Sequence, residues 1–317
     1  MKRLLIIAAL ALVGGCGQHV PPAASGPSVP SLTLTNHAEA FDAVWSEHSE
    51  DSIDAQWAAI RERFATDLPG FYENERFGDM AGFVDGVRTQ KLAEWPEHRE
   101  AATRAARQFA IDFPHAVAAF EDAVGPLPAQ RPVTLVMSLG EFDGAVRNLG
   151  QGDNLYFGAD EMARIYSGAS TTPFLQHELF HTYHSPLIGD CQPLWCALWA
   201  EGLATYAARR LNPGATDVEL GLTLPAPIRP ALANRRSDAV CAIRRRMDGG
   251  DDYRPIFTGM GEPLEGLPLR FGYLVGLWVA EDLGKGRSLA EMARWKGDDL
   301  RNRIAASLDR MADCTSI

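Results

Sequence analysis

Apolar residues recur at helical spacing along most of the chain, and the places where that period fails mark a small sheet. Between Ala40 and Ala65, the positions Phe41, Val44, Trp45, Ile53, Trp57, Ile60 and Phe64 predict helix with one buried face. Glu97 to Val124 sets Phe109, Phe113, Val117 and Phe120 on one side, and Pro114 is expected to kink or divide that stretch. The period then shortens. Pro132-Val133-Thr134-Leu135-Val136-Met137 and Asn154-Leu155-Tyr156-Phe157-Gly158 are β-prone runs. The glycines from Gly140 to Gly152 between them are spaced like loop punctuation, not like a nucleotide-binding fingerprint.

A new helix is predicted from Thr172 through His184, with Thr172 as N-cap and Pro173 at the first helical position. Leu194 to Leu211 predicts another, with Pro213-Gly214 beyond its end. Residues 212–268 are less regular. Leu269 to Leu283 is an apolar helix ending at Gly284, and Leu289 to Met311 supplies one or two closing helices. The expected fold class is α+β, mainly helical, with a small mixed sheet in the middle of the chain.

The first residues follow a different logic. Lys2-Arg3 precedes an apolar run from Leu4 to Val13 that is too short to span a bilayer and has the layout of a processed export signal. Residues 17–36 are rich in Pro, Ser, Gly and Ala, including Pro21-Pro22, and read as a flexible tether. Val13-Gly14-Gly15-Cys16 resembles the lipobox of bacterial lipoproteins. That resemblance implies acylation of Cys16 and removal of residues 1–15. With Gly17 where an aspartate would retain the protein at the inner membrane, it also implies an outer membrane location facing the periplasm. Several acyl chains together supply the durable anchoring that one chain does not.

Export to an oxidising compartment makes the other cysteines interpretable. Cys191, Cys196, Cys241 and Cys314 allow three pairings. Cys191 can bridge to Cys196 across four residues, which would leave Cys241 to tie Cys314 to the body. A four-cysteine metal site is disfavoured because the cysteines do not come as two close pairs. Without Lys2 and Arg3 the formal net charge falls from -11 to about -13, and an acidic body without basic runs argues against nucleic acid as a partner. Arg244-Arg245-Arg246, the one basic triplet, reads as a solvated turn or helix end.

The candidate chemistry lies in His177-Glu178-Leu179-Phe180-His181. On a helix, residues four apart share a face, so both imidazoles can reach one metal ion. Glu178 sits on the flank of that face, placed to take a proton and not to ligate. Such a five-residue pattern arises by chance in about one chain in a hundred of this size. More weight comes from Glu201, a carboxylate inside the apolar run Trp199-Ala200-Glu201-Gly202-Leu203-Ala204. Burying it unpaired would cost several kcal/mol. Gly202 and Ala204 leave room for another helix to approach.

With nineteen residues between His181 and Glu201, the arrangement resembles the gluzincin metallopeptidases, the thermolysin-like group, and the Glu-Gly-Leu-Ala run is similar to that of uncharacterised zinc-protease families in it. The resemblance covers residues 154–210, with a looser echo at 269–283. It implies a zincin-like catalytic domain over 131–317, preceded by a helical region over 37–130, and one Zn2+ held by His177, His181 and Glu201. It also implies Glu178 as general base, a tyrosine or histidine farther along as oxyanion donor, and a peptide or protein substrate.

Tyr273, in Phe271-Gly272-Tyr273-Leu274-Val275-Gly276, is the first candidate donor, with Tyr183 and His184 as rivals. Where thermolysin-like enzymes place an aspartate that orients a ligand histidine, this chain has Thr205, and Asp190 is the alternative. Asn154 to Gly158 is expected as the sheet edge against which an extended peptide lies. No acidic exopeptidase motif precedes His177, which tilts the expectation to an endopeptidase. A zinc hydrolase of another amide, such as a cell-wall one, or a silent binding lipoprotein remain as alternatives. The sequence is silent on oligomeric state.

Overall fold

The computed structural model describes residues 31–128, 132–150, 152–250 and 252–315. The export signal, Cys16 and the tether up to residue 30 lie outside the described residues. Leu34–Asn36, assigned by composition to the tether, instead forms strand β1 and pairs parallel with strand β2 (Val133–Val136). Asn36 then turns the chain into helix α1 (Ala38–Glu47), its side-chain oxygen accepting the Ala38 N–H at 2.9 Å while His37 holds the N-cap position. The helical period from Ala40 to Ala65 covers two helices, because Ser52 starts α2 (Ile53–Phe64) by accepting the Ala55 N–H.

After a short 3-10 segment, α3 (Ala81–Ala93) leads into α4, which runs unbroken over Trp95–Val124. Pro114 does not divide α4. It lies on the exposed side of the helix, where water can satisfy the backbone carbonyl that proline leaves without a donor.

The sheet has the order β1-β2-β4-β3, with β3 spanning Gly144–Asn148 and β4 spanning Asp153–Gly158. β2 is buried along its whole length and pairs parallel with both β1 and β4, which is why it reads as a continuous apolar run without alternation. β3 corrects the reading of Gly140 to Gly152 as loop. It pairs antiparallel with β4 and forms the outer edge. β4 is therefore interior, and the expectation that Asn154 to Gly158 offers an edge to a peptide does not hold. On that side the edge strand is β3, whose residues are half-buried or exposed and carry no apolar alternation to reveal them.

From β4 the chain enters α5 (Ala159–Tyr166), then α6 (Thr172–Ile188) and α7 (Leu194–Leu211). Thr171, not Thr172, holds the N-cap position of α6, and no side chain closes a cap hydrogen bond there. The stretch 212–268 contains α8 (Ile228–Ala231), α9 (Arg236–Arg246) and α10 (Tyr253–Phe257), and α11 (Phe271–Leu283), α12 (Leu289–Met292) and α13 (Gly297–Met311) follow. The arginine triplet ends α9 and pairs with Asp309, Glu265 and Asp252. α7 lies between α6 and α11, and α4 packs on α5 and α6.

A continuous apolar core extends from Leu32 to Leu308. Both expected disulfides, Cys191–Cys196 and Cys241–Cys314, are present. No helix among the described residues is long and apolar enough to cross a membrane.

Candidate metal centre

Helix α6 is fixed on three sides before its histidines face anything. Leu179 and Phe180 are buried, and Phe180 meets Phe120 of α4 at 6.4 Å between ring centroids. Phe174 packs edge-on to Phe157 of β4 at 5.6 Å. Gln176, beside His177, is buried and donates to the Ala116 carbonyl of α4 at 3.2 Å while accepting from Asn212 past the end of α7 at 2.6 Å. Sequence reasoning passed over Gln176, although a buried amide next to a candidate ligand has to find partners for both ends.

Packing of this kind leaves His177 and His181 on the face toward α7, with Glu201 opposite. His177 Nε2 and His181 Nε2 are 3.0 Å apart, and Glu201 Oε2 lies 3.4 Å from the first and 3.2 Å from the second. A zinc ion bound tetrahedrally at 2.0–2.1 Å separates its ligand atoms by about 3.3 Å. The three atoms thus already outline one face of such a tetrahedron. The donor set fits zinc, and the side chains are 12%, 24% and 17% exposed for His177, His181 and Glu201, so one side stays open. Among the described residues, this is the cluster of His, Cys, Asp and Glu that can hold a metal ion.

The charges respond to this crowding. Burial works against ionisation of Glu201, but the two imidazoles overcome it and hold the carboxyl well below its usual range. For His181, burial is likewise outweighed by Glu201, and the imidazole is pushed up to about 9 in the metal-free protein. A cation is what the three side chains share. Burial raises the neighbouring Glu178 carboxyl against the pull of His177 and His181. That is the direction that suits a base which must also return its proton.

Glu178 faces the edge strand. A Cβ at Gly144 of β3 would come within 3.3 Å of Glu178 Cγ and 2.6 Å of the Phe174 ring, so glycine is what lets the edge strand pass so close to this carboxylate. Glu178, Gly144, His177 and Tyr273 line one cleft of about 170 Å³ together with Asp143, Tyr166, Glu219 and Arg270. Tyr273 stacks on His177 with centroids 6.2 Å apart, and burial followed by the charge of Glu201 raises its phenol well above the usual range. It stays a protonated donor at neutral pH.

The rival residues lie elsewhere. Tyr183 packs on Phe120 and Phe180. His184 is buried against Phe180, with Nε2 unpartnered and its pKa lowered to about 4, first by burial and then by His181. Thr205 is fully buried and donates to the Glu201 carbonyl one turn back, while exposed Asp190 accepts from Gln192. Neither Thr205 nor Asp190 is seen to orient a ligand histidine.

Tyr253, which lay unremarked in the irregular stretch, lines a second hollow on the far side of Glu201 beside Cys191 and Cys196. No sequence signal marks Tyr253, since it stands outside any periodic run.

No family model, curated protein or solved structure matches the chain. Fold and site together define a mostly helical body with a small mixed sheet, carrying a His/His/Glu cluster able to hold a metal ion.

Proposed function

We propose that the protein is a zinc-dependent peptidase, an endopeptidase of the bacterial cell envelope, anchored through acylated Cys16 at the outer membrane and facing the periplasm. The observation that carries this reading is the ligand triangle of 3.0, 3.2 and 3.4 Å with a raised, half-buried Glu178 next to it on the same helix. A structural metal would have no use for that carboxylate.

His177, His181 and Glu201 would hold one Zn2+, which when bound supplies polarisation of a substrate carbonyl and acidification of a water. Glu178 takes the proton from the attacking water and returns it to the leaving nitrogen. Tyr273, kept protonated by burial, offers its hydroxyl to the developing oxyanion. No strand among the described residues pairs with the outer side of β3, and an extended peptide laid along it would pass Glu178. Backbone pairing of this sort needs no free terminus, which favours an endopeptidase.

The test is Glu178→Gln measured with quenched fluorescent casein. Zinc content should remain at the wild-type level while turnover falls by about 10²–10⁴-fold. Wild-type turnover in that variant would remove Glu178 from the chemistry.

A further inference from the structure

The cleft beside Glu178 holds a cation that hydrolysis itself does not require. The Arg270 guanidinium lies 4.5 Å from the centroid of the Tyr273 ring. Its Nη2 points across the cleft toward Gly221, where a Cβ would stand 4.0 Å away. Arg270 makes no ion pair among the described residues, and the two other acids of the cleft are committed elsewhere. Asp143 accepts from its neighbour's N–H, that of Gly144, at 3.0 Å and from the Tyr166 hydroxyl at 3.3 Å. Glu219 accepts from Ser170 N at 3.3 Å and from Thr216 N and Oγ1 at 2.7 and 2.9 Å.

The backbone supplies an independent sign. Arg270 has φ 64° and ψ 15°, the left-handed region, at the N-cap of α11. That conformation is strained for a residue with a Cβ and suits glycine far better. It is pinned by its own N–H, which donates to the Pro255 carbonyl at 3.0 Å, and by its carbonyl, which accepts from Tyr273 N at 3.1 Å. A strained backbone thus presents a half-buried guanidinium, set over an aromatic ring, to the cleft that the proposed base also lines. A planar fork of donors preorganised by stacking is a receptor for carboxylate.

We propose that Arg270 receives a substrate carboxylate on the leaving-group side of the scissile bond, so that the preferred substrates are peptides carrying an acidic group there. The selectivity rests on the peptidase reading above. Two sources share this chemistry: an Asp or Glu side chain just after the cleaved bond, and the free C-terminus of a short peptide.

Peptide binding separates them without relying on turnover. The zinc-loaded Glu178→Gln protein is titrated with three peptides of one core sequence. One carries Glu after the central bond, one carries Gln there with an amidated end, and one carries Gln with a free C-terminal carboxylate. Tenfold or tighter binding of the first over the second assigns the side chain, and of the third over the second assigns the C-terminus. The preference should fall to about one when Arg270→Gly is added, a change whose backbone favours folding, and should survive in part in Arg270→Lys. Equal affinity for all three peptides, or a preference that persists without the guanidinium, overturns the proposal. Should carboxylate preference appear while the wild-type protein cleaves none of the peptides, Arg270 stands and the peptidase reading falls.

Discussion

Substituting Gly202 by alanine should both destabilise the protein and loosen its metal site. Gly202 follows the candidate ligand Glu201 on α7 and faces Gly276 of α11. A Cβ on Gly202 would meet the Gly276 carbonyl carbon at 2.3 Å and its Cα at 2.5 Å, whereas ordinary contact begins at 3.4 Å. The obstacle is backbone, so no rotamer change can relieve it and the helices must part by about 1 Å. Overpacking in cores costs about 1–3 kcal/mol, and backbone against backbone belongs at the top of that range.

A loss of about 3 kcal/mol corresponds to roughly 5 °C in melting temperature for a domain of this size. Productive sites tolerate displacements of only about 0.5 Å, so moving α7 by twice that should weaken zinc binding at least tenfold. Thermal melts and competitive zinc titration with a chromophoric chelator read both effects. Gly214→Ala is the control, because a Cβ there meets nothing within 4 Å. Wild-type melting and zinc affinity in Gly202→Ala would refute the packing argument.

The other predictions concern stability. His184 stays neutral in the fold because its pKa is lowered to about 4, first by burial, while the unfolded chain protonates it below about 6.5. Its stabilising contribution is therefore present above pH 6.5 and is lost as pH falls toward 4, by about 2 kcal/mol between pH 7 and pH 5. Denaturant titrations of zinc-free protein at those two pH values should show a shallower loss in His184→Leu, and an identical loss would disprove the assignment. Cys241–Cys314 joins positions 73 residues apart and should contribute about 4 kcal/mol through loop entropy, far more than Cys191–Cys196 with its separation of five. Paired serine replacements compared by chemical unfolding would contradict this if the short bridge mattered more.

The metal helix and its partner were legible because their signals are local. The Thr-Pro start of α6, the four-residue histidine spacing and a lone carboxylate in the apolar α7 all survive in one dimension. The packed strands β2 and β4 show as β-prone runs for the same reason. β3 left no such trace, since an edge strand with one solvated side and Gly144 at its start has neither alternation nor a continuous apolar run. Gln176, Tyr253 and Arg270 were missed because their roles depend on what the fold brings to them from distant elements: an α4 carbonyl, the far side of Glu201, and a cleft bounded by β3. The short strand β1 was hidden by the proline-rich composition just ahead of it.

The central claim is that His177, His181 and Glu201 hold one zinc ion, and metal content tests it most directly. Plasma emission on purified protein that has not met chelator should find about one zinc per wild-type chain and a sharp reduction in folded Glu201→Ala. Absence of zinc from both, with both folded, would contradict the metal centre and the peptidase reading that depends on it.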